Sequence, residues 1–149
     1  MKMIATNRKA RHDYHVEEDY EAGIVLKGTE VKSLRGGNCS LKDGFVSIEK
    51  GEAFLYNVHI SPYDTGNRYN VNPTRRRKLL FHKREIARLE GRVREKGYTL
   101  IPLQIYFNER SRVKVKVGVA KGLAQYDKRE KIKKREQQRE MQRALRSYR

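Results

Sequence analysis

The chain has 149 residues, among which 35 Lys and Arg outweigh 18 Asp and Glu and give a formal net charge of +17 at pH 7. This length fits one domain with extensions, and so large a charge makes nucleic acid the default partner, because each cation set against a phosphate releases condensed counterions. The single cysteine, Cys39, excludes an intrachain disulfide, and no segment resembles a signal peptide or a membrane span, which together indicate a cytoplasmic protein that does not enter membranes.

The first predicted elements alternate between strand and helix. β-Branched and aromatic residues interleave with acids from Tyr14 to Leu26, which predicts an extended strand. Thr29 is the predicted N-cap of a short helix that ends at Arg35, before two glycines. A hairpin is then predicted from Phe45 to Val58, around a turn that contains Gly51.

A basic loop and a second helix precede the strongest strand pattern of the chain. The loop runs from Pro73 to Lys78, and the helix runs from Lys83 to Lys96. The predicted buried face of that helix consists of Ile86, Leu89 and Val93. A long hairpin follows, in which each strand has one apolar face, formed by Ile101, Leu103, Ile105 and Phe107 in the first strand and by Val113, Val115, Val117 and Val119 in the second.

These elements predict a mainly β protein. Several short antiparallel strands with helices between them are typical of a small OB-like barrel with inserted short helices, a fold that binds oligonucleotides on its surface. The predicted barrel domain covers residues 1–126, and a basic tail, helical or disordered, covers residues 127–149.

The tail has almost no residue to bury. Asp127 is placed to cap a helix, with Glu130 as its capping-box partner, yet no apolar residue occurs from Lys133 to Glu140. Ten Lys and Arg against four Asp and Glu leave a charge of +6 over these 23 residues. A helix that is polar on every side is not held by a core, so we expect the tail to order against a polyanion. The alternative is a solvated charged tail without a specific role.

Basic residues elsewhere in the chain form two further clusters. One consists of Arg75 to Lys78 with Lys83 and Arg84, and the other is the outward face of the last hairpin, with Lys114 and Lys116. Tyrosines lie among polar residues at four positions, namely Tyr63, Tyr69, Tyr106 and Tyr126. Rings beside cations suit RNA, whose unpaired bases can stack while its phosphates are contacted. The alternative is a surface that is merely basic.

Acidic residues are concentrated near the N-terminus, at Asp13, Glu17, Glu18, Asp19 and Glu21. With His12 and His15 they could form a catalytic or metal site, but no metal-motif spacing is present, and strand alternation places Glu18 on the face opposite Glu17. We therefore expect these acids to pair with nearby Lys and Arg. The residues alone predict a small RNA-binding protein without catalytic residues, metal or cofactor.

Several long motifs, in order, resemble those of a known family. They are Asn7 to Tyr14, Tyr20 to Ile24, Gly28 to Arg35, His59 to Tyr63, Arg77 to Leu80, Thr99 to Leu103 and Tyr126 to Arg129. Together they resemble the bacterial SsrA-binding protein family, also called small protein B, the partner of transfer-messenger RNA (tmRNA). The resemblance implies an OB-like barrel that binds the tRNA-like domain of tmRNA. It also implies delivery of that RNA to stalled ribosomes for trans-translation, by a monomer without enzymatic activity.

The same resemblance implies roles for particular residues. It places Asn7, Glu21, Leu80 and Lys114 at the RNA. It also implies that the tail reaches the small-subunit decoding region and the empty mRNA channel of the ribosome. With the charge clusters, the expected RNA-binding set is Asn7, Glu21, Arg75, Arg76, Arg77, Lys78, Leu80, Lys83, Lys114 and Lys116. The expected ribosome-contacting set is Lys121, Gly122, Tyr126, Asp127, Lys128, Arg129, Lys131, Lys133, Lys134 and Arg135.

The sequence departs from the family pattern at one place, and two other functions are compatible with its composition. The family usually has two lysines after the glycine that precedes the tail motif, whereas Leu123 and Ala124 follow Gly122 here. A basic structural protein of the ribosome would have a similar composition. An RNA-processing enzyme would use His12, His15 and the neighbouring acids, and it would require them to converge in a cleft.

Overall fold

The computed structural model describes residues 1–63, 71–122 and 135–144 of the chain. Residues 135–144 are helical. The other described residues form nine strands, which are β1 (Lys2–Thr6), β2 (Tyr14–Ile24), β3 (Cys39–Ser40), β4 (Phe45–Glu49), β5 (Glu52–Tyr56), β6 (His59–Ile60), β7 (Arg77–Leu80), β8 (Tyr98–Phe107) and β9 (Val113–Gly122). They also form three helices, α1 (Arg8–Asp13), α2 (Gly28–Arg35) and α3 (Lys83–Arg94). None of the helices in the described ranges is long and apolar enough to cross a membrane.

Seven strands form one antiparallel sheet in the order β1-β8-β4-β5-β7-β2-β9. Strand β8 also pairs with β9 along its whole length, so the pairing closes on itself. On its other edge, β8 pairs with β4 at Leu100 and with β1 from Gln104 to Phe107. The short strands β3 and β6 pair separately. This arrangement confirms the predicted mainly β fold and fits an OB-like barrel with short helices inserted.

The core lies inside this ring of strands. Val115, Val117 and Val119 are completely buried, as the alternation along the last strand predicts. Leu34 of α2 and Leu89 of α3 add helix side chains to the same core. The buried residues around them include Ala53, Leu55, Leu79, Leu100 and Ile105.

A bulge in β8 makes one sequence prediction wrong. The register between β8 and β9 shifts between Pro102 and Gln104, and the extra residue moves the side chains that follow to the other face. Ile105 and Phe107 therefore belong to the main core. Ile101 and Leu103 pack instead in a second, smaller cluster outside the ring of strands, with Ala10 of α1 and Ala120 of β9.

The helix ends also differ from the sequence predictions. Thr29 is not the cap of α2, because the helix begins two residues earlier than predicted, at Gly28, and Lys27 is the N-cap residue. The Lys27 backbone N–H donates to Glu30 Oε1 at 2.9 Å, which satisfies one of the free amides of the first turn. In α3, Leu89 is buried as predicted, but Val93 is 40% exposed. Val93 therefore does not belong to the buried face of the helix.

Candidate nucleic-acid interface

One end of the β2–β9 pair gathers several of the predicted RNA-binding residues on its outer face. The register pairs Glu21 with Lys116 and Gly23 with Lys114. On the other edge of β2, Gly23 pairs with Leu80 of β7, whose side chain is exposed although it is apolar. We call Glu21, Gly23, Leu80, Lys114 and Lys116 the Leu80–Lys114 surface. It combines two cations, one acid and an exposed apolar side chain within three adjacent strands.

Glu21 is fixed in place on this surface. Its carboxylate accepts a hydrogen bond from the Tyr106 hydroxyl group, and Tyr106 is itself buried, at 4% exposure. Burial of the ring and the hydrogen bond to Glu21 both raise the pKa of Tyr106, so the hydroxyl remains a donor at neutral pH. The Glu21 carboxylate is thus a hydrogen-bond acceptor whose position is fixed beside Lys116. It suits a donor such as a base amino group or a ribose 2′-hydroxyl.

Gly23 leaves an open depression in the middle of the Leu80–Lys114 surface. A Cβ atom at this position would lie 3.3 Å from Leu80 Cβ, so the glycine allows β7 to approach β2 closely. An open groove of about 370 Å³ lies beside it, and its wall includes Leu26, Leu80, Arg112 and Lys114. A glycine inside a predicted strand is the sequence signal that could have indicated this depression.

Arg77 corrects the prediction of a basic loop from Pro73 to Lys78. Arg77 and Lys78 belong to β7, and the Arg77 side chain is completely buried. Its guanidinium donates to Glu30 Oε2 at 2.6 Å, to the Val58 carbonyl oxygen at 2.7 Å and to the Pro73 carbonyl oxygen at 2.9 Å. Arg77 is therefore a structural residue and is not available to an RNA phosphate.

Glu30 joins two arginines beneath this segment. It is 3% exposed and also accepts a hydrogen bond from Arg75 Nε at 3.2 Å. Burial by itself would raise the pKa of Glu30, but hydrogen bonds from Arg75, from the Lys27 backbone and from Arg77 outweigh it, so the pKa is lowered. The network ties α2 to the segment before β7.

The two other cations of this run face solvent. The Arg76 guanidinium lies over the Phe54 ring, 4.1 Å from its centroid, and contacts Glu49 Oε2 at 3.1 Å. Lys78 is exposed on β7 and pairs with Glu52 at 3.1 Å. Lys83 is exposed at the start of α3. Of the four predicted cations from Arg75 to Lys78, Arg76 and Lys78 are thus the ones that an RNA can reach without breaking the buried network.

The lowered pKa of Glu30 predicts how the protein responds to acid. Because the folded pKa lies below the unfolded value of about 4.3, the contribution of Glu30 to stability is present above that pH and is lost as the pH falls through the folded pKa. We expect the difference in free energy of unfolding between the wild type and Glu30→Gln to shrink below about pH 4. Urea denaturation at pH 3 to 7 measures it, and a difference that is constant with pH would contradict the assignment.

Asn7 is also a structural residue. It is 3% exposed, and its Nδ2 donates to the Leu41 carbonyl oxygen at 3.1 Å and to the Pro102 carbonyl oxygen at 2.9 Å. Its Oδ1 accepts from the Ala10 backbone N–H at 3.0 Å and so caps α1. Asn7 therefore fixes the start of α1, and the structure does not bring it to the Leu80–Lys114 surface.

The acidic cluster of β2 serves to position α3. Arg92 contacts Glu17 Oε2 at 2.6 Å, and Arg88 contacts Glu18 Oε1 at 3.1 Å. The prediction that these two acids point to opposite faces is wrong, because a bulge between Val16 and Glu18 lets both reach α3. A hydrogen bond from Tyr98 is the largest of the effects that lower the pKa of Glu17. The predicted pairing with arginines is thus confirmed for Glu17 and Glu18, whereas Asp13 contacts His12 and Glu21 accepts from Tyr106.

The position of His12 does not support the enzyme alternative, because this histidine does not converge with the acids of β2. The His12 side chain is 89% exposed and lies 3.3 Å from Asp13 Oδ1. In the parts of the chain that the structure describes, no group of three or more His, Cys, Asp and Glu side chains could hold a metal ion.

The residues predicted to contact the ribosome begin at the end of β9. Lys121 Nζ lies 4.4 Å from the centroid of the Tyr98 ring, and Gly122 is the last residue of the strand. Arg135 begins the helical stretch 135–144, in which every residue is exposed, in agreement with a helix that lacks a core. Seven of the predicted positions lie outside the described residues, as does the predicted domain boundary: Tyr126, Asp127, Lys128, Arg129, Lys131, Lys133 and Lys134.

A second open groove lies at the other end of the β2–β9 pair. There Tyr14 pairs with Gly122, eight residues along β9 from Lys114, which corresponds to about 27 Å. The groove has a volume of about 400 Å³. We call it the Phe45 groove; its lining includes Lys9, Asp13, Tyr14, Lys42, Asp43, Phe45, Thr99 and Gly122. The two grooves therefore lie at opposite ends of the β2–β9 pair.

Comparison with known proteins identifies the family. The family described as SmpB protein matches residues 4–147. The chain belongs to the SmpB family. Among its relatives is the SsrA-binding protein of Geobacillus thermodenitrificans, which is 59% identical over 145 residues and aligns with 97% of this chain and 93% of the relative. The SsrA-binding protein of Caldicellulosiruptor bescii is 60% identical over 148 residues, covering 99% of this chain and 93% of the relative.

A solved structure supports SmpB family membership at the level of the fold. It is described as "tmRNA-SmpB: a journey to the center of the bacterial ribosome". The match has a TM-score of 0.69 and 56% sequence identity, and it covers 79% of this chain and 82% of the solved chain. The resemblance inferred from the motifs is thus confirmed by sequence and by fold.

Proposed function

We propose that this chain is a non-catalytic adaptor that binds the tRNA-like domain of tmRNA and delivers it to stalled ribosomes for trans-translation. The observation that carries the proposal is the Leu80–Lys114 surface, where an exposed leucine, two lysines and a held carboxylate lie together around a glycine depression. Cations can contact phosphates there, and the leucine can contact a base or ribose. The names of the relatives, SsrA-binding proteins, support this reading.

We propose a separate role for residues 127–149. Their charge of +6 and the exposed helix at 135–144 suit a segment that enters an anionic channel. An mRNA in the channel of the ribosome would exclude the tail, whereas an empty channel offers a phosphate-lined path without its usual occupant. Competition for that path would sense a stalled ribosome, and the protein would act in the cytoplasm as a monomer.

Binding experiments with isolated RNA test the first part of this proposal. We expect the protein to bind the tRNA-like domain of tmRNA more tightly than an equally long RNA duplex, and to copurify with tmRNA from its native cells. Leu80→Ala should weaken this binding without changing its dependence on salt, because the side chain is uncharged. Stoichiometric copurification with all ribosomes, without preference for tmRNA, would support a structural ribosomal protein instead.

Lys114→Gln makes a second, quantitative test of the Leu80–Lys114 surface. If Lys114 contacts a phosphate, its neutralisation should reduce the slope of log K against log salt by about 0.7 to 0.9. Fluorescence anisotropy titrations of the tRNA-like domain between 50 and 200 mM salt, about the range in which phosphate contacts change affinity most, measure the slope. Lys96→Gln is the control, because Lys96 is exposed between α3 and β8, away from this surface. Equal slopes for both variants would remove Lys114 from the interface.

A further inference from the structure

The outer face of β4 and β5 carries aromatic side chains where a soluble sheet usually carries polar ones. Phe45 and Tyr56 are cross-strand partners whose rings are stacked, with centroids 5.1 Å apart and planes 8° apart. Phe45 nevertheless remains 40% exposed. The Tyr56 hydroxyl group donates to Glu49 Oε1 at 2.6 Å and fixes the supporting ring. The Phe45 ring is thus held in one plane from behind while part of it stays open.

The Phe45 ring borders a groove of suitable size and chemistry for a nucleotide. The volume of about 400 Å³ lies within the range of about 300 to 1,000 Å³ typical of small-molecule sites. Two exposed lysines, Lys9 and Lys42, line it. Lys9 Nζ lies 3.7 Å from Oδ1 of Asp43, which also lines the groove, and Asp13 is the second acid in the lining.

We propose that the Phe45 groove binds one unpaired nucleotide of ribosomal RNA, whose base stacks on Phe45 and whose phosphate contacts Lys9 and Lys42. An aromatic ring beside cations is the combination that recognises an unstacked base, since every base has a π-face and carries a phosphate. Two aspartates offset the two lysines in the lining, so stacking, rather than charge, supplies most of the binding energy. The inference rests on the proposed function and adds a contact to it.

The position of the groove selects ribosomal RNA over tmRNA as the source of the nucleotide. The groove lies at the Gly122 end of β9, six residues along the strand from Lys116, the nearest β9 residue of the surface proposed for tmRNA, or about 20 Å. Gly122 is also the residue from which the chain continues towards the tail. Because the tail is the part proposed to reach the ribosome, we infer that a groove beside its first residues faces ribosomal RNA.

Paired substitutions at Phe45 test the stacking contact. Phe45→Leu keeps an apolar side chain against Tyr56 but removes the aromatic face, whereas Phe45→Trp enlarges that face. We expect Phe45→Leu to weaken binding of the preformed complex with tmRNA to ribosomes with an empty mRNA channel by about 5- to 150-fold, the range for loss of one base stack. Phe45→Trp should bind as the wild type or more tightly. Affinity for isolated tmRNA and the salt slope of ribosome binding should stay unchanged in both.

Photo-crosslinking identifies the occupant directly. A benzophenone amino acid in place of Phe45 should crosslink to an unpaired nucleotide of ribosomal RNA, whereas the same substitution at Val93, which is equally exposed on α3, should not. Crosslinks from position 45 to tmRNA or to protein alone would overturn the inference, as would ribosome affinity of Phe45→Leu within twofold of the wild type. Failure of the wild type to bind tmRNA would instead refute the proposed function, so the two failures are distinguishable.

Discussion

Removal of residues 127–149 is expected to abolish rescue of stalled ribosomes while leaving binding to the isolated tRNA-like domain almost unchanged. The Leu80–Lys114 surface lies in the strands, at the end of the β2–β9 pair away from Gly122, so the loss of the tail leaves this surface intact. The deletion removes a charge of +6, whose long-range effect on tmRNA is screened beyond about 8 Å at physiological salt. Rescue is measured as peptide tagging on an mRNA without a stop codon.

The control for this deletion keeps the length of the tail and removes its charge. Replacing the ten Lys and Arg of residues 127–149 with Gln should also abolish tagging, because the proposed competition depends on cations in a phosphate-lined path. Loss of tmRNA affinity by orders of magnitude with tagging preserved would contradict the division of roles between barrel and tail. Tagging by the Gln variant at the wild-type rate would show that charge is not what holds the tail.

The second large effect is expected from Glu30→Ala, which should lower the free energy of unfolding by about 3 to 5 kcal/mol. Glu30 is the shared acceptor of Arg75 and Arg77, and Arg77 is completely buried. Without the carboxylate, the Arg77 guanidinium would be a buried charge without its counter-ion, which is the costly outcome for a buried pair. Urea denaturation followed by circular dichroism measures the change.

Glu52→Ala is the matched control for Glu30→Ala. Glu52 also pairs with a cation of β7, Lys78, at 3.1 Å, but its side chain is 50% exposed. An exposed pair of this kind is expected to contribute no more than about 1 kcal/mol. Equal losses of unfolding free energy in the two variants would contradict the claim that burial makes the Glu30 ion pair costly to break. The double variant Glu30→Leu with Arg77→Met, which removes both charges together, should recover much of the stability that Glu30→Ala loses.

Regular alternation made part of the fold predictable. Val115, Val117 and Val119 follow a strict two-residue period in β9, and their burial was predicted. The bulges in β2 and β8 were not predictable in the same way, because one extra residue inverts the faces without leaving a clear mark in the sequence. Strand β1 and helix α1 were not predicted either. Helix α1 packs on the sheet mainly through a single buried residue, Ala10.

The composition of the chain predicted the kind of partner better than the sequence positions predicted which residues form the site. Charge indicated a nucleic-acid partner and selected Lys114 and Lys116, which the structure places on one outer face with Glu21. The run from Arg75 to Lys78 could not be separated into buried and exposed cations, because the decisive partner, Glu30, is 47 residues away from Arg77. Long-range hydrogen bonds of this kind depend on how the strands and helices are connected in the fold. The local sequence pattern does not give this information.

The fixed register between β2 and β9 has a consequence for how far the protein reaches. Because the two grooves lie at opposite ends of one strand pair, with no linker between them, their separation is set by the β2–β9 register. If both grooves bind RNA as proposed, the barrel fixes the distance between the two RNA sites. Lengthening both strands by two residues would keep every side chain on its face yet shift the start of the tail by about 7 Å.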